Sequence, residues 1–440
     1  MKNLPLVSYR EVFKNRKRIL ENPLPFHKEN FDLLGDTFRV KVSPTTSVVF
    51  TRDAKMIRHI LQRNHKKYEK SPLQTKDLAK YIGHGLLTSN GDHWRKHRRM
   101  VQPAFHKKKL KGLLGIMQKA IRSELKRILP NATQDVFPLM GDLTFQVVAR
   151  SLFSRDDIQD EMAELQHITE TNQKMLIKEM RQPYLKWWFR LSGEINHHLK
   201  LADKGRAVIN SIVDERLERG AEKDDLLDML LKARYEDGTA MSRRQLIDEV
   251  LILFTAGHET TANALSFTLG LLAENKEAQN KAFQEVSTVD WNSSNILENI
   301  SKLQYVKQCI EEGMRLYPPA YIIDRITNMD DDFDGTFIKK NTLFLMSVYE
   351  LHKHTAFWDN PDAFMPERFD PSGKKDFQEY YYPFGAGPRM CVGNNFAIYE
   401  MVMVISELLA KYEISIKDPL EINPLISLKP QAVKLHFHKR

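Results

Sequence analysis

The chain has 440 residues, 42% hydrophobic and 28% charged, which excludes wholesale disorder and leaves room for a large buried core. Its 66 Lys and Arg against 57 Asp and Glu give a formal charge of +9, which favours acidic partners without specifying nucleic acid. Two cysteines, Cys309 and Cys391, exclude a disulfide framework or a Cys-rich metal cluster and fit a reducing compartment.

From the N-terminus, residues 1–20 carry too many charges for a signal peptide or membrane anchor. Residues 35–53 alternate apolar and polar side chains and predict a hairpin. Helical patterns dominate from about 54 to 315, with helices expected at Ala54–Asn64, Gly91–Val101, Lys109–Leu129, Ala202–Arg219 and Arg243–Glu274. Basic residues cluster at Arg95, Lys96, Arg98 and Arg99, then at Lys107, Lys108, Lys109 and Lys111. Such a cluster is either a solvated helix face or a surface for DNA, a membrane or an acidic protein. Val250–Ala273 is apolar, but His258 and Glu259 sit in its middle and its flanks, Arg243, Arg244, Asp248, Glu249 and Glu274, are charged, so it reads as a buried helix and not a span.

Strands are expected at Arg325–Asn328, Thr336–Ile338 and Leu343–Ser347. The run from Asp330 to Gly335 starts like a calcium loop, but its twelfth position is Asn341, and a hairpin turn is the better reading. Loops follow from Trp358 to Met390, then a helix from about Asn394 to Tyr412 and short strands. No repeat, low-complexity tract or linker interrupts the chain. The expected class is mainly α with small β-sheets, in a single large domain covering residues 1–440.

Four constellations carry chemistry. The first is Phe384-Gly385-Ala386-Gly387-Pro388-Arg389-Met390-Cys391-Val392-Gly393, a rare cysteine in a glycine-punctuated loop that opens a helix. Glycines permit positive φ and close backbone approach, and a thiolate at a helix N-terminus gains from the dipole. Arg389 is placed to pair with a ligand carboxylate. The competing reading is a core cysteine beside a tight turn. The second is Ala256-Gly257-His258-Glu259-Thr260-Thr261, an acid and two hydroxyls inside an apolar helix. Thr260 is placed to bond back to the Ala256 carbonyl and, with Gly257, to open a groove; a water-satisfied polar kink is the alternative. The third is Glu312 and Arg315, which share a helix face, with Arg368 later. The fourth is Trp94 and Arg98, four apart within the basic cluster; here a snorkelling surface arginine is the alternative.

The first motif resembles the haem loop of the cytochrome P-450 monooxygenases, and the other three follow that family's order. The resemblance covers the chain from about Gly35 onward. It implies the P-450 fold, haem b as cofactor and Cys391 as its axial thiolate and metal ligand. It implies that Glu259 and Thr260 relay protons to dioxygen. Arg389, Trp94, Arg98, Arg325, Phe384, Gly385, Gly393, Ala256 and Gly257 are the expected haem contacts. Glu312, Arg315 and Arg368 are expected to be structural, and Cys309 inert. His354 and His258 are departures that leave the haem assignment intact.

The implied reaction inserts one oxygen atom from dioxygen into a C–H bond of a small molecule. Where that carbon bears an ether oxygen, the product collapses and the net reaction is O-demethylation. Electrons are expected from separate proteins, a ferredoxin and its reductase, with no fused reductase. The expected protein is a cytoplasmic monomer that engages neither nucleic acid nor membrane. A peroxide-driven peroxygenase, a non-enzymatic haem-thiolate sensor and a DNA-binding protein are the rival readings. The walls expected to select the substrate are Ser71–Asn90, Gln166–Leu191, Tyr321–Ile323 and the neighbourhood of Leu425.

Overall fold

Strands Thr37–Lys41 and Ser47–Thr51 pair antiparallel, as the alternation between 35 and 53 requires, and bury Phe38, Val40, Val48 and Phe50 on one side. In this computed structural model the described residues are 4–43, 45–155, 158–220, 222–291, 295–373 and 377–440. They are mainly helical, with small sheets. They group into two compact units interleaved in sequence.

The first unit comprises residues 1–71, 308–391 and 420–431. Its six-stranded sheet joins the N-terminal hairpin to the parallel neighbour Leu343–Ser347, then to Ile322–Thr327 and Tyr68–Glu69. One face is closed by Ile57, Ile60 and Leu61, which pack with Phe344 and Met346. The helix begun by Ala54–Arg58 is capped by the Asp53 carboxylate and widens into a π-turn at His59–Arg63. Asp331–Phe333 and Thr336–Ile338 form a two-residue hairpin, with Asp334 and Gly335 both at positive φ. The acidic run is therefore a turn, as expected.

That hairpin also does something the sequence does not announce. Asp331 is buried and accepts from Lys67 (2.6 Å), His59 (2.7 Å), Tyr68 (2.8 Å) and Asn64 (3.1 Å). Burial opposes ionisation, but these bonds hold its carboxyl well below the usual carboxylate range.

The second unit comprises residues 72–307, 392–419 and 432–440. Its axis is the helix Arg243–Glu274, capped by Ser242, with 23 buried residues. Val136–Phe153 packs along it, and Glu194–Arg219 and Asn394–Leu409 pack around it. The helices Gly91–Val101 and Arg243–Glu274 have the expected bounds. Others shift. Lys107–Leu125 replaces Lys109–Leu129, and Glu194–Arg219 begins earlier than Ala202. The last helix stops at Leu409 because Tyr412 enters a strand, Tyr412–Ile416, paired with Lys434–Lys439. Among the described residues no helix is long and apolar enough to cross a membrane.

Candidate active site

The cysteine loop is built by backbone geometry. Gly385 and Gly387 have φ of +70° and +68°, where a Cβ is strained. Gly387 carries a second constraint. A Cβ there would lie 2.0 Å from the carbonyl oxygen of Leu61, in the π-turn. Backbone cannot rotate away, so only glycine fits. A 3₁₀ turn, Gly387–Arg389, follows. The Met390 N–H then donates to the Gly387 carbonyl (3.0 Å) and the Cys391 N–H to the Phe384 carbonyl (2.9 Å). The loop is thus cinched at both ends, and Cys391 is exposed while Cys309 is buried. Neither is in a disulfide. Gly393 caps the helix Asn394–Leu409 at φ −89°, and a Cβ there would meet only Phe105 at 3.8 Å.

Two cations of the first unit act on one another. Arg325, on Ile322–Thr327, is buried, and its Nη1 donates to the Asp324 carbonyl (2.7 Å). Burial lowers its pKa, and Asp324 partly restores it. Burial, then repulsion from Arg325, brings Arg389 down to about 10. Two partly desolvated guanidiniums in mutual repulsion form a place that favours a carboxylate.

The expected pair of Glu312 and Arg315 is fully buried. Arg315 donates Nε to Glu312 Oε2 (2.7 Å) and Nη2 to Oε1 (2.8 Å). Arg368 Nε reaches the same Oε1 at 3.2 Å, and the Met365 N–H at 3.0 Å. Arg315 spends its remaining donors on the carbonyls of His352, Pro361 and Ala363. Its guanidinium lies 5.0 Å over Trp358. This knot ties the helix Gln304–Leu316 to the loops at 352–368 and is saturated, so it is architectural.

In the second unit, Ala256 and Thr260 are exposed on a helix that is otherwise buried for most of its length. The Thr260 hydroxyl donates to the Ala256 carbonyl (3.0 Å), as expected. The helix runs without a break from Arg243 to Glu274. Gly257 is turned toward Val148, and an added Cβ would sit 3.1 Å from its Cγ2. Glu259 is half-buried; His258 is buried, and its carbonyl accepts from Thr144 (3.0 Å). Just upstream, Leu251 and Thr255 help line a cavity of about 20 Å³ with Leu78, Tyr81, Ile168 and Leu176.

Trp94 and Arg98 are half-buried on Gly91–Val101, and Arg98 Nε donates to Gln102 (3.0 Å). Part of the basic cluster is neutralised, Arg95 by Asp92 (2.7 Å) and Arg99 by Glu236. Lys107, Lys108, Lys109 and Lys111 are exposed.

Asp248 and Glu249 read in sequence as charged helix flanks. Both are buried. Asp248 accepts from the His84 N–H (3.0 Å) and Glu249 from the Leu86 N–H (3.1 Å), pinning residues 83–86 to the long helix. A Cβ at Gly83 would lie 2.2 Å from Asp248 and one at Gly85 2.7 Å from Glu249. Glu249 also stands 3.0 Å from His97, whose other ring nitrogen is 3.1 Å from the Tyr235 hydroxyl. The paired glycines at 83 and 85 were the available signal.

A family model described as cytochrome P-450 matches residues 5–437, across both units. A protein named as a cytochrome P-450 from Mycobacterium bovis is 29% identical, covering 83% of each chain. Cyclooctat-9-en-7-ol 5-monooxygenase of Streptomyces melanosporofaciens is 26% identical over 94% of this chain and 88% of its own. The 11-oxo-beta-amyrin 30-oxidase of Glycyrrhiza uralensis is 31% identical over 81% and 71%. With the family's cysteine loop formed and its match running almost end to end, the chain belongs to the cytochrome P-450 family of haem-thiolate monooxygenases.

Proposed function

We propose that Cys391 would hold the iron of a haem b as a thiolate and that the enzyme hydroxylates a lipophilic small molecule at a C–H bond. The observation that carries this reading is the exposed sulfur in a loop rigidly held against the Leu61 carbonyl. The donor set fits haem: a thiol, and two partly desolvated arginines, Arg325 and Arg389, for propionates. Trp94 and Arg98 are further proposed propionate partners, and Phe384, Gly385, Gly393, Ala256 and Gly257 the other proposed contacts. When bound, the cofactor supplies dioxygen activation, with the thiolate favouring O–O cleavage.

The chain's own residues supply position and protons. Thr260 spends its hydroxyl proton on Ala256, so its oxygen lone pairs remain to accept a proton-bearing partner. Glu259, half-buried on the next position, is the proposed source of protons from solvent. Substrate pose selects the outcome, and a methyl ether held at the reacting position gives O-demethylation in place of hydroxylation. A lipophilic substrate is supported by relatives named for a cyclooctatenol and an amyrin.

Electrons in this reading come from an acidic ferredoxin and its reductase. The four exposed lysines from Lys107 to Lys111 support an acidic partner, and salt weakens such docking. A cytoplasmic monomer is the corresponding setting, supported by two cysteines outside any disulfide. The decisive experiment is Cys391→Ala. The parent's reduced carbon monoxide complex is expected to show the Soret position of thiolate ligation, and the variant to lose it. An unchanged band in the variant refutes the assignment. Turnover with peroxide alone, at the rate reached with reductant and dioxygen, would favour a peroxygenase.

A further inference from the structure

The run from Asp330 to Gly335 forms a turn, yet its one buried member, Asp331, reaches a side chain 272 residues earlier in the chain. Where it lands is telling. The π-turn at His59–Arg63 is closed by the Asn64 N–H, which donates to the His59 carbonyl (2.8 Å), a step of five residues where an α-helix takes four. The Asp331 carboxylate accepts from both residues of that closure, from His59 Nε2 (2.7 Å) on one oxygen and from Asn64 Nδ2 (3.1 Å) on the other. Lys67 (2.6 Å) and the Tyr68 hydroxyl (2.8 Å) also donate to it, from outside the π-turn.

Single π-turns inside helices are rare and frequently mark functional sites. This one presents the Leu61 carbonyl, between the two gripped residues, to Gly387. The π-turn packs on the 3₁₀ turn Gly387–Arg389, two residues before Cys391. Reversion to an α-helix would slip the chain by one residue, about 100° around the axis, and take the Leu61 carbonyl from its seat. Hairpin, π-turn and cysteine loop all belong to the first unit. Holding the hairpin in place would need only Lys67 and Tyr68; the bonds to His59 and Asn64 act on the π-turn.

We infer that Asp331 is a positioning residue for the Cys391 sulfur: by gripping His59 and Asn64 it fixes the π-turn, and through the Leu61 carbonyl the π-turn fixes the seat of the cysteine loop. The inference rests on the proposal that Cys391 would hold haem iron, and adds the residue that sets where the sulfur stands.

The test uses the full-length, haem-loaded protein. Asp331→Asn keeps the shape of the side chain and removes its charge and one acceptor oxygen. Asn64→Ser leaves Asp331 in place and takes away its grip on the closing residue. Tyr68→Phe is the control, because it removes a bond to the same buried carboxylate without touching the π-turn. Each protein is held the same interval below its own melting temperature. The reduced carbon monoxide band should then leave the thiolate position about tenfold faster in Asp331→Asn and Asn64→Ser than in the parent, the size of one lost hydrogen bond to a charged group. Electron paramagnetic resonance of the ferric protein should resolve a second low-spin species in those two variants and a single species in the parent and in Tyr68→Phe. A general loss of stability would move all three variants alike. Where Asp331→Asn does not fold, Asn64→Ser decides. Parental rates and a single ferric species in Asn64→Ser overturn the inference, and so does a Tyr68→Phe as perturbed as the other two. A parent that never shows the thiolate band refutes the haem reading itself, and the inference with it.

Discussion

Gly387 lies so close to Leu61 that a methyl group on its α-carbon would sit 2.0 Å from the Leu61 carbonyl oxygen. Both φ and space forbid a side chain there, whereas Gly393, in the same motif, is restricted by neither. Gly387→Ala should therefore displace the cysteine loop and cost about 3 kcal/mol or more. Gly393→Ala should cost under about 1 kcal/mol. Chemical denaturation, read with the reduced carbon monoxide spectrum, separates the two. Equal losses would mean that the π-turn at Leu61 does not brace the loop.

Glu312 collects Arg315, Arg368 and the Met365 N–H in a place with no access to solvent. Removing the carboxylate strands a buried guanidinium. Glu312→Gln is expected to cost about 3–5 kcal/mol, the range for breaking a buried pair by removing one partner. Little loss of stability would show that the carbonyls around Arg315 suffice to hold it.

Much of this was legible in the chain because local signals carried it. Gly91–Val101 and Arg243–Glu274 have strong helical periods and end where expected. Glu312 and Arg315 were legible as an i, i+3 pair. What was not legible depends on distant partners. Tyr412 leaves its helix because Lys439 pairs with it as a strand. Asp331 reads as a turn residue until Lys67, His59 and Tyr68 arrive from over 250 residues away in sequence. Asp248 and Glu249 read as solvated flanks because nothing local reveals the amides of His84 and Leu86. The charge of a helix end is visible in sequence; the backbone that will cover it is not.

His27 is buried beside Phe50, with ring centroids 4.8 Å apart, and its Nδ1 has no hydrogen-bond partner among the described residues. Burial brings its pKa from 6.5 down to about 4. The unfolded chain then binds the proton first as pH falls, so the contribution is complete above 6.5 and lost on acidification toward 4. About 3 kcal/mol of stability should disappear across that window on this account. His27→Phe keeps the ring packing and removes the titration, so its stability curve should be flatter between those limits. Parallel curves for parent and variant would assign the acid lability to other groups.

Thr260 is exposed on the long helix and bonds only its own turn, so it contributes little to stability. Its place beside Glu259 makes it a test of proton delivery independent of folding. Thr260→Val keeps the shape and removes the hydroxyl; Thr260→Ser keeps the hydroxyl and drops a methyl. The valine variant should melt with the parent yet divert reducing equivalents into peroxide or water, with coupling to product falling by about a hundredfold, the lower end of the usual range for loss of a positioned proton donor or acceptor. The serine variant should retain most of the coupling. Should valine stay fully coupled, the protons reach dioxygen by a route that bypasses this hydroxyl, and Glu259 alone would be left as the residue to replace next.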